Sequence, residues 1–145
     1  MTQQVDPTLL YQQIFNAFRA AAPEGWTVGH ITYLCAGKTA EYQALATMPD
    51  GRKVGFGRIP RTLSKAFRAL RDSMYRPGRG TWYTATATLY PDGRFSLDVD
   101  YDHEPQWDSP TSPGHYVEDA EQYPRDEKHT PDWLRQRLTE ATKGN

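Results

Sequence analysis

At 145 residues the chain is long enough for one hydrophobic core and too short for two comfortable ones. Aromatics make up 12 %, with four Trp and nine Tyr, which excludes a disordered chain, and no apolar run approaches the roughly 18 residues that span a bilayer. The formal net charge of −1 hides a segregation: residues 52–79 hold nine basic side chains and one acidic, residues 92–132 twelve acidic and three basic. Such asymmetry speaks about partners rather than about fold.

The N-terminal "MTQQVDPTLLYQQ" has neither a basic start nor a small-residue cleavage site, so no signal peptide is expected. The single Cys35 has no partner for a disulfide or a zinc site and reads as a buried, inert thiol. Both features fit a cytoplasmic protein.

The first element reads as a helix, with Asp6 as N-cap, Pro7 at the first helical position, and Leu10, Ile14, Ala17, Phe18 and Ala21 recurring at helical steps. Pro23 and Gly25 end it. Three strand-like runs follow: "WTVGHITYLC", "EYQALATM" and "RKVGFGRI". A second helix covers "RTLSKAFRALRDSMY", with Leu63, Ala66, Phe67, Leu70 and Met74 as its apolar stripe and Arg61, Lys65, Arg68 and Arg71 on other faces. "RPGRG" stops it.

Two turns share one chemistry, "MPDGR" at 48–52 and "YPDGR" at 90–94. Pro presets φ, Asp suits the next position, and Gly supplies the left-handed residue that lets the strands re-pair through a bulge. In the second hairpin this pairs Leu89 with Phe95, Ala87 with Leu97 and Ala85 with Val99, all apolar. A two-residue loop would mix the faces. After Tyr101 the pattern dissolves into a loop, "EPQWDSPTSPG"; a short helix then covers "HYVEDAEQY", and a last one starts at Thr130 as N-cap with Pro131 behind it and buries Trp133, Leu134 and Leu138. The expectation is a single α+β domain over residues 1–145, an antiparallel sheet with N-terminal, central and C-terminal helices packed mainly on one face.

The densest chemistry lies in "DVDYDHEPQWD", residues 98–108. Alternation sends Phe95, Leu97, Val99 and Tyr101 to the core and sets Asp98, Asp100 and Asp102 on the other face, in a row about 7 Å apart. Three readings stand. The row is a solvated face without a role; or a hard-cation site that adds His103 and Glu104, although a flat strand spaces its ligands without converging them; or an acidic protein-binding surface, with Asp98, Asp100, Asp102, Glu104 and Asp108 as steering charges and Trp107 and Tyr116 as apolar anchors. The second reading would make the chain a metal-dependent hydrolase or nuclease using the Asp98–Glu104 cluster. A further alternative is a small nucleic-acid-binding module on the Arg61–Arg71 helix, which the near-neutral net charge disfavours. No phosphate-cradling Gly-rich motif or nucleophile elbow is present, so the expectation is no enzyme, no cofactor and no metal.

The order of elements in "LYQQIFNAFRAAAPEGW", "IPRTLSKAFRALRDSMY" and "TWYTATATLYPDGRFSLDVDYD" resembles the YezG/EsaG-like family of bacterial immunity proteins. The tail is similar to that of actinobacterial immunity proteins encoded beside secreted polymorphic toxins, through Asp100-Tyr101-Asp102 with Glu104-Pro105, Tyr123-Pro124-Arg125, and Pro131 with Trp133-Leu134. The likeness covers roughly residues 10 to 140 and rests on pattern and short motifs, with no catalytic signature. It implies an antitoxin that binds a cognate toxin domain, often a nuclease, in the producer's cytoplasm, with no nucleic-acid or membrane partner. The chain departs from better-known members in being shorter between its first strands and basic on its second helix. Nuclease toxins have basic clefts that grip phosphate, and carboxylates on a rigid sheet suit such a cleft.

Overall fold

Asp6, the expected helix cap, lies outside the residues that the computed structural model describes, 7–56 and 59–143. The elements in chain order are α1 (Pro7–Ala21), β1 (Val28–Ala36), β2 (Thr39–Thr47), β3 (Lys53–Gly55), α2 (Arg61–Ser73), β4 (Thr84–Leu89), β5 (Phe95–Asp100), α3 (Pro113–Gln122) and α4 (Asp132–Lys143). The strands form one antiparallel sheet in the order β3-β2-β1-β4-β5, and helices pack on it. The fold is α+β, as the order of apolar periods implies. Among the described residues no helix is long and apolar enough to cross a membrane.

The twin turns form alike. Met48 N–H donates to the Arg52 carbonyl at 2.8 Å and Gly51 N–H to the Met48 carbonyl at 2.8 Å; Tyr90 and Arg94, and Gly93 and Tyr90, repeat this at 3.0 and 2.9 Å. Each Asp then clamps its own turn, since Arg52 N–H donates to Asp50 at 3.0 Å and Arg94 N–H to Asp92 at 3.1 Å. Gly51 and Gly93 take φ of 88° and 98°, which explains glycine at both places. The β2–β3 register, Thr47 opposite Lys53 and Leu45 opposite Gly55, follows from the first turn.

Several expected boundaries move. α2, read over 61–75, ends at Ser73, which leaves Met74 outside the helix and half-buried, and α3, read over 115–123, spans Pro113–Gln122. The third strand, read over 52–59, is confined to Lys53–Gly55; residues 57 and 58 of that run lie outside the described ones. Thr130 does not cap α4. Its hydroxyl donates back to the Asp126 carbonyl at 2.9 Å, across the 3-10 turn Glu127–His129, and the Pro131 carbonyl receives the helical bond from Arg135 at 3.0 Å.

Contacts gather the chain into two compact units, each with its own core. The first comprises the described residues of Met1–Tyr33, Tyr42–Ser73 and Ala85–Asp98. Here α1 lies against α2, and Ile14, Phe18, Ile31, Leu63, Phe67, Ala85, Ala87 and Leu89 are fully buried. Phe67 stacks on Tyr33 at 4.7 Å, and Phe18 meets Trp26 edge-on at 5.2 Å, geometries that the ring quadrupole favours. The second unit comprises Leu34–Glu41, Met74–Thr84 and the described part of Val99–Asn145. Its core joins Ala36, Tyr83, Tyr116 and Leu134, with Trp107, Trp133 and Leu138 packed against them. Tyr83, Tyr116 and Trp133 stand edge-on to one another with centroids 5.4 to 5.8 Å apart.

Candidate functional site

Strand alternation holds where it was read: Ser96 and Asp98 are exposed, while Phe95, Leu97 and Val99 are partly buried and Tyr101 is buried. The row of three aspartates does not form. β5 ends at Asp100, because its carboxylate turns back on the chain: Asp100 Oδ1 accepts the Asp102 and His103 amides at 2.9 and 3.1 Å, and Oδ2 lies 2.9 Å from His103 Nδ1. Capturing two amides two and three residues ahead is a turn in itself, so Asp102 sits in a bend rather than on the strand face. Partial burial acts to raise the Asp100 pKa, but the two amides and His103 outweigh it, and the net direction is downward.

From Tyr101 to Ser112 the chain has neither helix nor strand, yet it is braced along its length by residues of the second unit. The Tyr101 carbonyl accepts from Arg125 at 2.6 Å, and the Asp102 carbonyl from the Trp133 indole at 2.7 Å. Glu104 takes a two-pronged ion pair from Arg137, at 2.7 and 3.2 Å. The Trp107 indole donates to the Tyr116 hydroxyl at 3.1 Å, and the Asp108 and Ser109 amides donate to the two oxygens of Glu41 at 2.8 and 3.3 Å. The three short motifs of the tail thus interlock: Arg125 and Trp133 each hold a backbone carbonyl of the Asp100–Pro105 stretch.

This framework corrects the assignment of anchors. Tyr116 is 1 % exposed; its ring belongs to the aromatic core and only its hydroxyl reaches Trp107, so it is no surface anchor. Burial pushes its phenol up. Trp107 is half-buried, packed on the same core. Glu104 is held by Arg137, which also donates to both oxygens of Glu140, at 3.0 and 3.1 Å; bonds to Glu104 first, then Glu140, push the guanidinium pKa upward. Asp102 keeps its carboxylate largely in solvent, 3.8 Å from Arg79, and Asp98 and Asp108 are exposed. Glu104, Trp107, Pro110, Tyr116, Arg137 and Glu140 line a cavity of about 390 Å³.

Other candidate chemistry thins out. Among the described residues no three His, Cys, Asp or Glu side chains converge as metal ligands, and Asp100 with His103 is a pair. On α2, Arg61, Lys65 and Arg68 are exposed, but Arg71 is 3 % exposed and belongs to the buried side of the helix, not to a basic face. Glu41, Arg137 and Glu140 escaped notice in the sequence, and Arg125 was noticed only as part of a short motif, without a role. The spacing of Arg137 and Glu140, three apart on a helix, was a legible signal; Glu41 has none, because its partners lie 67 and 68 residues away. No protein-family model matches the chain, and no curated protein matches it.

Proposed function

We propose that the chain is an immunity-type inhibitor that neutralises a toxin domain of the nuclease class in the cytoplasm of the cell that makes it, with no catalysis of its own. The observation that carries the reading is the braced loop: twelve residues without regular structure are tied down at several points, while the Asp102 and Asp108 carboxylates remain exposed. A surface already ordered loses little entropy on binding, and exposed carboxylates steer it toward a basic cleft. The lack of converging ligands among the described residues weighs against the metal-dependent hydrolase, and the burial of Arg71 against the nucleic-acid module. The family resemblance points the same way as the loop.

The test is co-expression with the C-terminal domain of the product of the adjacent reading frame. Growth should be rescued by the wild-type chain. The Asp102→Asn/Asp108→Asn variant should associate with that domain more slowly and with a flatter salt dependence, since steering charges act on encounter. Absence of rescue by wild type, or turnover of DNA, RNA or NAD by the isolated chain, would overturn the reading.

A further inference from the structure

We propose that the cavity beside α4 receives an arginine side chain of the protein partner; this rests on the inhibitor reading and names what that surface would grip. One side of the cavity is the triad Glu104, Arg137 and Glu140, in which two carboxylates share one guanidinium. One negative charge is left over. Arg137 makes four bonds to the two carboxylates, which spends most of its five N–H donors, whereas each carboxylate has about four acceptor positions and keeps some open. The Gln136 amide adds one long bond to Glu140 Oε1, at 3.4 Å, but no second cation among the described residues lines the cavity; the site has acceptors to spare, and a guest that supplies donors and positive charge completes it.

The remaining walls choose among cations. Trp107, Pro110 and Pro113 supply apolar surface, and the Trp107 ring is held in place by its bond to the hydroxyl of Tyr116, whose own ring lies in the core. A guanidinium is planar, weakly hydrated, stacks on aromatic faces and binds carboxylates with two prongs; an ammonium is strongly hydrated and does none of these as well. About 390 Å³ is near the low end for a small-ligand site, about 300–1,000 Å³, and suits one long side chain rather than an extended peptide. The surplus negative charge repels phosphate, which disfavours nucleic acid as the guest.

The probe is N-acetyl-arginine-N-methylamide, titrated into the full ¹⁵N-labelled chain while the Trp107 indole N–H resonance is followed. The expected result is a saturable shift, with affinity about tenfold weaker for the neutral citrulline analogue and for the Glu140→Gln variant, because a charge-assisted bond becomes a neutral one. Glu140→Gln leaves the Glu104–Arg137 pair intact, so the cavity persists. No shift, equal binding of arginine and citrulline, or indifference to Glu140→Gln would overturn the proposal. Dimers of the chain that Glu140→Gln dissolves would overturn the assignment to a foreign partner. If the shift is absent while wild type still protects cells, the cavity proposal falls and the inhibitor reading stands. If the shift is present while wild type protects against no adjacent toxin, the inhibitor reading falls, and with it the partner assignment.

Discussion

The Gly37 amide donates to Asp119 Oδ1 at 2.9 Å, tying the turn between β1 and β2 to α3 across 82 residues. Asp119 is 2 % exposed, so the bond is made where water does not compete. Gly37 has φ of 58°, and a Cβ placed there would lie 2.6 Å from the His115 carbonyl oxygen. Gly93 also has positive φ, but its Cβ would meet nothing within 4 Å.

The contrast separates backbone strain from crowding. Gly93→Ala should cost about 1 kcal/mol, the price of a left-handed alanine. Gly37→Ala adds an unrelievable contact with backbone and should cost about 2–4 kcal/mol. Asp119→Ala, which strands a buried amide, should cost about 1–3 kcal/mol. Urea unfolding of the three variants checks the order; equal losses for the two glycines would show that the α3 contact yields.

Arg125 holds three backbone carbonyls, those of Tyr101, Thr81 and His129, at 2.6, 3.0 and 2.9 Å, with its guanidinium carbon 5.0 Å from the Tyr83 ring centroid. Arg125→Ala should lose about 3 kcal/mol, since hydrogen bonds from charged groups contribute about 1.5–3 kcal/mol each and do not add fully. Arg125→Lys should recover less than half of that, because one ammonium cannot reproduce the planar fork. Thermal denaturation of both variants decides; full recovery by Lys would mean that charge rather than geometry matters.

Trp107→Phe keeps an aromatic ring at the site but removes the indole N–H that reaches Tyr116, together with part of the ring surface. Its cost should be about 1 kcal/mol. Trp107→Ala also vacates the whole ring packed against the core cluster that holds Tyr116 and should cost about 3 kcal/mol. Amide hydrogen exchange should localise both losses to residues 101–112; protection lost uniformly over the chain would contradict the bracing role of Trp107.

Asp100 makes a pH prediction of definite sign. Its folded pKa lies below the ordinary aspartate value, about 3.9. Between the two values the unfolded chain binds more protons than the folded one, so stability rises with pH there. The contribution is fully present above about pH 4 and is lost as pH falls through the folded value. Asp100→Asn should remove that part of the acid limb and loosen the turn at 100–103. A carboxyl-carbon NMR titration of Asp100 showing an ordinary or raised midpoint would contradict it.

Much of the fold was written in local pattern. The apolar steps of α1 and α2 matched the residues they bury except at Ala21 and Met74, which are half-buried, and "PDGR" specified both turns and, through the first, the β2–β3 register, because a bulged turn depends only on the residues inside it. Alternation likewise told which side of β5 faces water. What alternation did not tell was where β5 stops: the Asp100 side chain competes with the ladder for the next amides and wins. Tyr116 and Arg71 read as surface residues because polarity and spacing mark a face without saying what covers it, and here Tyr83 and Trp133 close over Tyr116. The bracing of residues 101–112 depends on Glu41, Trp133 and Arg137, partners 31 to 68 residues distant. No periodicity records such pairs, since they are chosen by how packed elements meet, and so the cavity that Glu104 and Arg137 help to line belongs to the tertiary structure alone.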